Sequence, residues 1–484
     1  MANIYSKSYL RCFTITSLIV ACIAQFWCGG LFIFNVYSLA LKHTFNYTQS
    51  DIDMMAALCH FGFHTAFPAG IVQDMFGPRV TSAMGLILTS TGYLLLWSTT
   101  KSIEFYTYKA GLLKLYFFII GQGVTYTYMA AVTTTISNFT SERRVQALAI
   151  LESFFGGGAL VLTIIYASYF VNGHIYDEQN QNWSGFILIL TIGSSIANCC
   201  CLAFLQIAPQ SDANDGDDED SDKDDNYIAA ESEDEDDLKD IFAEVVDDSE
   251  STDLFHSGDD EMRDKTSIYK VIKQTWLDSK SIFTTRNFQI ILWLKSIISP
   301  VGFLYLINIT AILKSAKLEA YSGIFTILRP IAGILARVMI AVIAQLLKGK
   351  IKKSIILLIT NMGFVVGQGL LISLGTNLTA LHTANIVITM AHSCSFVLIV
   401  AILSDTLSKN KFGRMWGFIL FVSTIFSFLY PAIFGLVYDA HTKIGHVYCY
   451  RLACTQLTFI FTSIFTCVAL ILNIALIMYT PSMT

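Results

Sequence analysis

The sequence predicts an all-α membrane protein with twelve transmembrane helices in two six-helix, pseudo-symmetric bundles. Three observations predict it. The first is composition: 54% of the 484 residues are hydrophobic and only 14% are charged, against about 25% charged in ordinary soluble domains. The second is a set of twelve apolar runs long enough to cross a hydrocarbon core, which takes about 20 residues of helix. The third is their placement, six before and six after one strongly acidic stretch.

The twelve spans are set at 14–40, 54–73, 80–98, 112–137, 145–170, 185–206, 288–313, 320–342, 353–374, 378–404, 414–437 and 455–479. The first is too long for a signal-peptide core and lacks a convincing cleavage site, so it reads as retained. Three regions follow: a six-helix bundle over 1–206, a cytosolic linker over 207–285, and a second six-helix bundle over 286–484. Residues 211–264 hold 25 of the 37 acidic residues and 3 of the 31 Lys/Arg. The rest of the chain therefore has 12 acidic against 28 basic residues, and the net charge of −6 averages two unlike regions. Such an acidic stretch cannot bury enough apolar surface to offset its ordering entropy, so disorder is expected there. From Ser267 to Arg286 the composition turns basic and amphipathic, as in a helix lying on a membrane surface. Ser221 and Ser232 sit beside acidic residues, a pattern that suits an acidophilic kinase and equally a plain solvated tether. Nucleic-acid binding is excluded because the basic residues lie between apolar runs of membrane length.

Lys and Arg in short loops set orientation. With both termini in the cytosol, 12 such residues fall inside and 8 outside. The sequons at Asn46, Asn182 and Asn377 all fall in outside loops under the same assignment, as N-glycosylation requires. The expectation is a multi-pass protein of the plasma membrane or an endomembrane. Of the eleven cysteines, nine lie inside apolar runs and only Cys449 and Cys454 fall near a loop where a bridge is open to them. No Cys/His cluster has zinc-ligand spacing, and neither a metal nor a cofactor is expected.

The most specific local pattern closes the second span: Gly70-Ile-Val-Gln-Asp74-Met-Phe-Gly77-Pro-Arg79. Gly70 lets another backbone come close, and Gly77 permits a tight turn. Asp74, at the membrane edge, can accept from a helix N-terminus or an Arg. Gly413 to Gly417 opens the eleventh span on the same side, and Arg143 and Arg144 lie at the same depth. This G-x-x-x-D-x-x-G-x-R loop resembles the signature loop of the major facilitator superfamily, which implies two six-helix halves around a central cavity and a gating role for the loop. The second half is expected to echo it at Gly333 and Arg337, with Arg in place of the acid.

Further pieces resemble the nodulin-like branch of that superfamily: Phe34-Asn-Val-Tyr-Ser, Phe67-Pro-Ala-Gly70, Phe76-Gly-Pro-Arg79, Gly92-Tyr-Leu-Leu-Leu-Trp97, Asn138-Phe-Thr-Ser-Glu-Arg-Arg144, Phe412-Gly413 and Gly435-Leu-Val-Tyr-Asp439. The branch is similar to monocarboxylate and oxalate/formate carriers. The resemblance implies a small organic solute as substrate, an anion above all, moved by alternating access with proton coupling as an open option. A superfamily branch carrying large neutral amino acids shares the Phe-Gly-Pro-Arg turn and competes. A non-transporting receptor signalling through the acidic linker is the rival from another class. An enzyme is not expected, because no nucleophile–base or metal-ligand constellation is visible. The small-molecule substrate and the bilayer are the expected partners, with a kinase acting on the linker as a further one; a monomer is expected.

Ionisable groups inside the membrane cost about 2.5–3.5 kcal/mol on insertion scales unless paired or hydrated. Glu152, Lys295 and Arg329 are such groups. In the branch they resemble, the Glu152 position is often basic, whereas Arg329 matches a usual Arg. Arg329, with Lys295, is a candidate for binding a substrate carboxylate, and Glu152 for exchanging a proton; a structural ion pair between the halves competes, as does snorkelling for Lys295. His60 and His64, four apart, share a helix face and suit either a proton relay or hydrogen-bonded packing. His392 is isolated and is assigned nothing. In the superfamily the first, fourth, seventh and tenth spans line the cavity. Their uncharged polar residues, among them Gln122, Thr125, Tyr126 and Asn308, suit either a polar solute or helix packing.

Overall fold

The computed structural model describes residues 7–172, 180–208, 279–442 and 449–479. Ser221, Ser232 and most of the linker and its basic segment lie outside the described residues. The first half runs α1 (Lys7–Cys28), α2 (Phe34–Phe45), α3 (Gln49–His64), α4 (Phe67–Ser98), α5 (Ile103–Thr107), α6 (Ala110–Asn138), α7 (Ser141–Tyr169) and α8 (Trp183–Phe204). The second runs α9 (Arg286–Ser315), α10 (Ser322–Leu346), α11 (Lys353–Leu374), α12 (Leu378–Thr406), α13 (Lys409–His441) and α14 (Ala453–Tyr479).

These helices give the twelve expected crossings once two irregularities are understood. The first crossing is α1 and α2 joined through a 3-10 segment, Gly29–Ile33. The second and third crossings run from Ser50 to Lys101, 52 residues, without a polar loop. The chain reverses there at Gly77, whose φ of 75° and ψ of −175° break the helix. Only glycine takes this conformation without strain, and Pro78 follows where a helix start does not need its missing N–H. A capping box fixes the start of α3: Asp51 N–H donates to Thr48 Oγ1 at 3.2 Å and Thr48 N–H to Asp51 Oδ2 at 3.3 Å.

Both bundles are built by burying small and apolar residues along the helix axes, while Ile, Leu, Val and Phe remain on the outer faces, as a lipid-facing surface requires. The halves meet chiefly where α4 packs on α13, α7 on α10, and α7 on α12. We call the end carrying Gly77, Phe204 and Arg286 the linker end. At the opposite end Cys449 and Cys454 form a disulfide.

Candidate functional site: a linker-end latch and a basic core between the halves

The halves come close at Gly70 of α4 and Gly413 of α13. A side chain on Gly70 would collide with the Gly413 carbonyl, and one on Gly417 with the Ala66 carbonyl. This contact lets Asp74 reach across: Gly413 N–H donates to its Oδ1 and Arg414 N–H to its Oδ2, each at 2.8 Å. The Arg414 guanidinium adds an ion pair at 3.8 Å, with both side chains over 90% buried. A buried carboxylate is tolerated because two amide donors and a cation replace its water.

A second junction was not foreseen from sequence. Asp405, at the end of α12, accepts from Arg144 Nη1 at 3.1 Å, Ser141 Oγ at 2.7 Å and Lys353 Nζ at 2.6 Å. Arg144 also donates to the Ser404 carbonyl at 2.8 Å and to the Ile136 and Phe139 carbonyls of its own half. Lys409 Nζ donates to the Ser137 carbonyl at 3.0 Å. Arg144 is thus at the junction, whereas Arg79 and Arg143 are exposed.

The expected echo at Gly333 and Arg337 needs correction. The turn that matches Gly77 is Gly349, with φ 71°, three residues beyond the end of α10 at Leu346. Arg337 lies nine residues before that end, about 13 Å up the helix at 1.5 Å per residue, too deep to serve a loop. The second-half counterpart of the latch is instead an exposed pair, Lys348 to Glu142 at 2.6 Å. Its polarity is reversed, with the acid now in the first turn of α7, where a helix N-terminus favours it.

Further toward the centre the charged groups gather. Glu152 on α7 is buried and accepts from Tyr128 Oη at 3.3 Å. Its electrostatic neighbours are Arg337 and Lys295. Arg329 faces Tyr305 and Arg337, and the Tyr305 hydroxyl is buried without a hydrogen-bond partner. Lys295 is 2% exposed, with Nζ 4.7 Å from the Phe396 ring centre and 5.8 Å from that of Trp416. Such cation–π contacts replace part of its hydration; burial at this depth rules out snorkelling. His392, given no role from sequence, feels Lys295, Arg329 and Arg337 together.

The remaining candidates make contacts of the following kinds. His64 Nδ1 lies 2.9 Å from the His60 carbonyl of its own helix, and His60 is held between Phe32 and Phe303. Gln122 donates to the Gly62 and Thr65 carbonyls and Thr125 to that of Phe63, tying α6 to the second crossing. Asn308 donates to the Leu304 carbonyl of its own helix. Tyr126 is buried. Asn46, Asn182 and Asn377 are all exposed. Asn182 and Asn377 spend their carbonyl oxygens on capping α8 and α12, whereas Asn46 closes α2 in the left-handed region.

Two glycine-packed six-helix bundles that meet at a latch after the second crossing define a major facilitator fold. Solved structures agree on that fold. The proton:xylose symporter aligns with a TM-score of 0.65 at 12% identity, covering 98% of this chain and 97% of that one. The E. coli fucose:proton symporter gives 0.59 at 14%, covering 94% and 99%. A human organic anion transporter gives 0.58 at 13%, covering 96% and 99%. No curated protein matches the sequence significantly. Residues 15–229 of the chain match the Nodulin-like family model.

Proposed function

We propose that the protein carries a small organic anion across a membrane by alternating access, with both termini in the cytosol. The observation that supports this reading most is the charge balance between the halves. Lys295 and Arg337 flank a single carboxylate, Glu152, and a third cation, Arg329, lies beside Arg337. An uncompensated cation inside a membrane is costly, and an incoming carboxylate is the species that relieves it. Arg329, with the unpartnered Tyr305 hydroxyl beside it, is the receiving group. Asp74, Arg414, Arg144 and Asp405 form the cytosolic gate, which must part when the site opens inward. The orientation draws on the disulfide at the end opposite the linker, since such bonds persist in oxidising compartments, and on the exposed sequons. The acidic linker acts as a tether.

The same cluster also suits a zwitterion, with Arg329 on the carboxylate and Glu152 on an ammonium, and this favours amino acids as the second reading. A counterflow screen of the purified protein in proteoliposomes, across monocarboxylates, amino acids, sugars and nucleosides, separates the two. Exchange of monocarboxylates that is lost in Arg329→Ala is the expected result. Exchange restricted to neutral sugars or nucleosides would refute the anion reading, and binding without exchange would point to a receptor.

A further inference from the structure

The 3-10 segment inside the first crossing turns one large ring outward. Of its five residues, Gly29, Gly30, Leu31 and Ile33 are buried, whereas Phe32 is 36% exposed. A side chain on Gly29 would collide with the Phe155 carbonyl of α7. The segment is therefore pressed against α7, and the Phe32 ring is the part left standing out. That ring lies between Phe155 of α7, edge-on with ring centres 5.2 Å apart, and His60 of α3, at 5.6 Å. Both α3 and α7 pack on the second half, so a ring set between them faces the space between the halves. From the other half Phe303 of α9, itself half-buried, meets the His60 ring edge-on at 5.1 Å. Three rings thus span the two halves, and Phe32 and Phe303 both keep apolar surface uncovered. They stand at the depth of the basic core. His392, which feels Lys295, Arg329 and Arg337, is seated against Gly302, the residue before Phe303.

We propose that the transported anion carries a flat apolar body, as an arylacetate does: its carboxylate meets the basic core while its ring is taken up by Phe32 and Phe303. This names a substrate class within the anion-carrier reading above and rests on it. An anion of one to three carbons answers the cations but leaves the aromatic faces in water, at the usual cost of exposed apolar surface. A ring on the same carboxylate covers those faces. It also gains the offset or edge-to-face contacts that aromatic rings make at about 4.5–7 Å between centres. Such a pairing of apolar lining with a few convergent polar groups is what small-molecule sites generally use for affinity and orientation. His60 serves as the spacer that holds the two phenylalanines apart across the halves. Phe32 and Phe303 are then specificity-determining residues: they select the body of the solute, and the cations select its charge.

The test is isothermal titration of the purified full-length protein at neutral pH with phenylacetate, its neutral amide phenylacetamide, and lactate. Phe32→Leu and Phe303→Leu are titrated beside the wild type, since leucine keeps an apolar side chain of similar bulk and removes only the ring. Size-exclusion profiles check that each variant is folded. Phenylacetate should bind the wild type at least about tenfold more tightly than lactate, and more tightly than phenylacetamide by a similar factor. Each leucine variant should bring the phenylacetate-to-lactate ratio down at least about threefold. Lactate binding as tightly as phenylacetate, or folded variants of both positions that keep the wild-type ratio, would overturn the aromatic site and leave the carrier reading standing. Equal binding of phenylacetate and phenylacetamide would overturn the anion reading on which the proposal rests. Absence of binding by all three compounds would overturn both.

Discussion

Asp74 shows how much one side chain does at a membrane edge. It has no water to fall back on, so its ionised form depends on the Gly413 and Arg414 amides. Hydrogen bonds to a charged group contribute about 1.5–3 kcal/mol each. Asp74→Ala should therefore lower uptake at least about tenfold while surface expression stays intact; normal uptake by a well-expressed Asp74→Ala would remove the gate argument. Gly413→Ala is expected to be as damaging, because its methyl would meet Asp74 Oδ1. Deeper in the bilayer, Arg329→Ala should abolish anion-induced thermal stabilisation of the purified protein, and an unchanged shift would contradict its carboxylate role. Asp74 was legible because its loop, from Gly70 to Arg79, resembles the major facilitator signature. Asp405 was not, because an acid at a helix end reads as solvated until Arg144 and Lys353 are folded onto it.

At the scale of elements, the apolar runs marked all twelve crossings, since the cost of exposing backbone in lipid forces long continuous helices. The run boundaries were less informative than the turns. Gly77 and Gly349 both reverse the chain with positive φ, but only the first sits in a motif, so the second-half echo was expected one helix segment too early. The 3-10 break at Gly29–Ile33 left no trace in hydropathy, because its residues are as apolar as the helices it joins. Polar residues on α6 were ambiguous for a physical reason: inside a membrane the same hydroxyl or amide can serve a solute or a neighbouring helix. The exposed loop ends carry a prediction of their own. Asn46→Gln should remove one glycan's mass on a gel after expression in a eukaryotic secretory host, given that Asn46 is exposed and its side chain caps no helix; an unchanged glycoform pattern would argue against an outside loop there.

On the scale of the whole molecule, the two latches at one end and the basic core above them form a single machine only if the halves move against each other. Deleting 211–264 should leave transport within about twofold of wild type if that stretch is a solvated tether, and a correctly localised but inactive deletion would contradict this. Asp405→Ala removes the carboxylate on which Arg144, Ser141 and Lys353 converge, so it should shift the population toward linker-end opening. The most direct test is a distance measurement across that end, with spin labels carried by noncanonical residues at the exposed positions Arg143 and Lys350. Two distance populations, whose ratio shifts when a transported anion is added, are what alternating access about the basic core predicts. A single distance that stays fixed at saturating anion would contradict it.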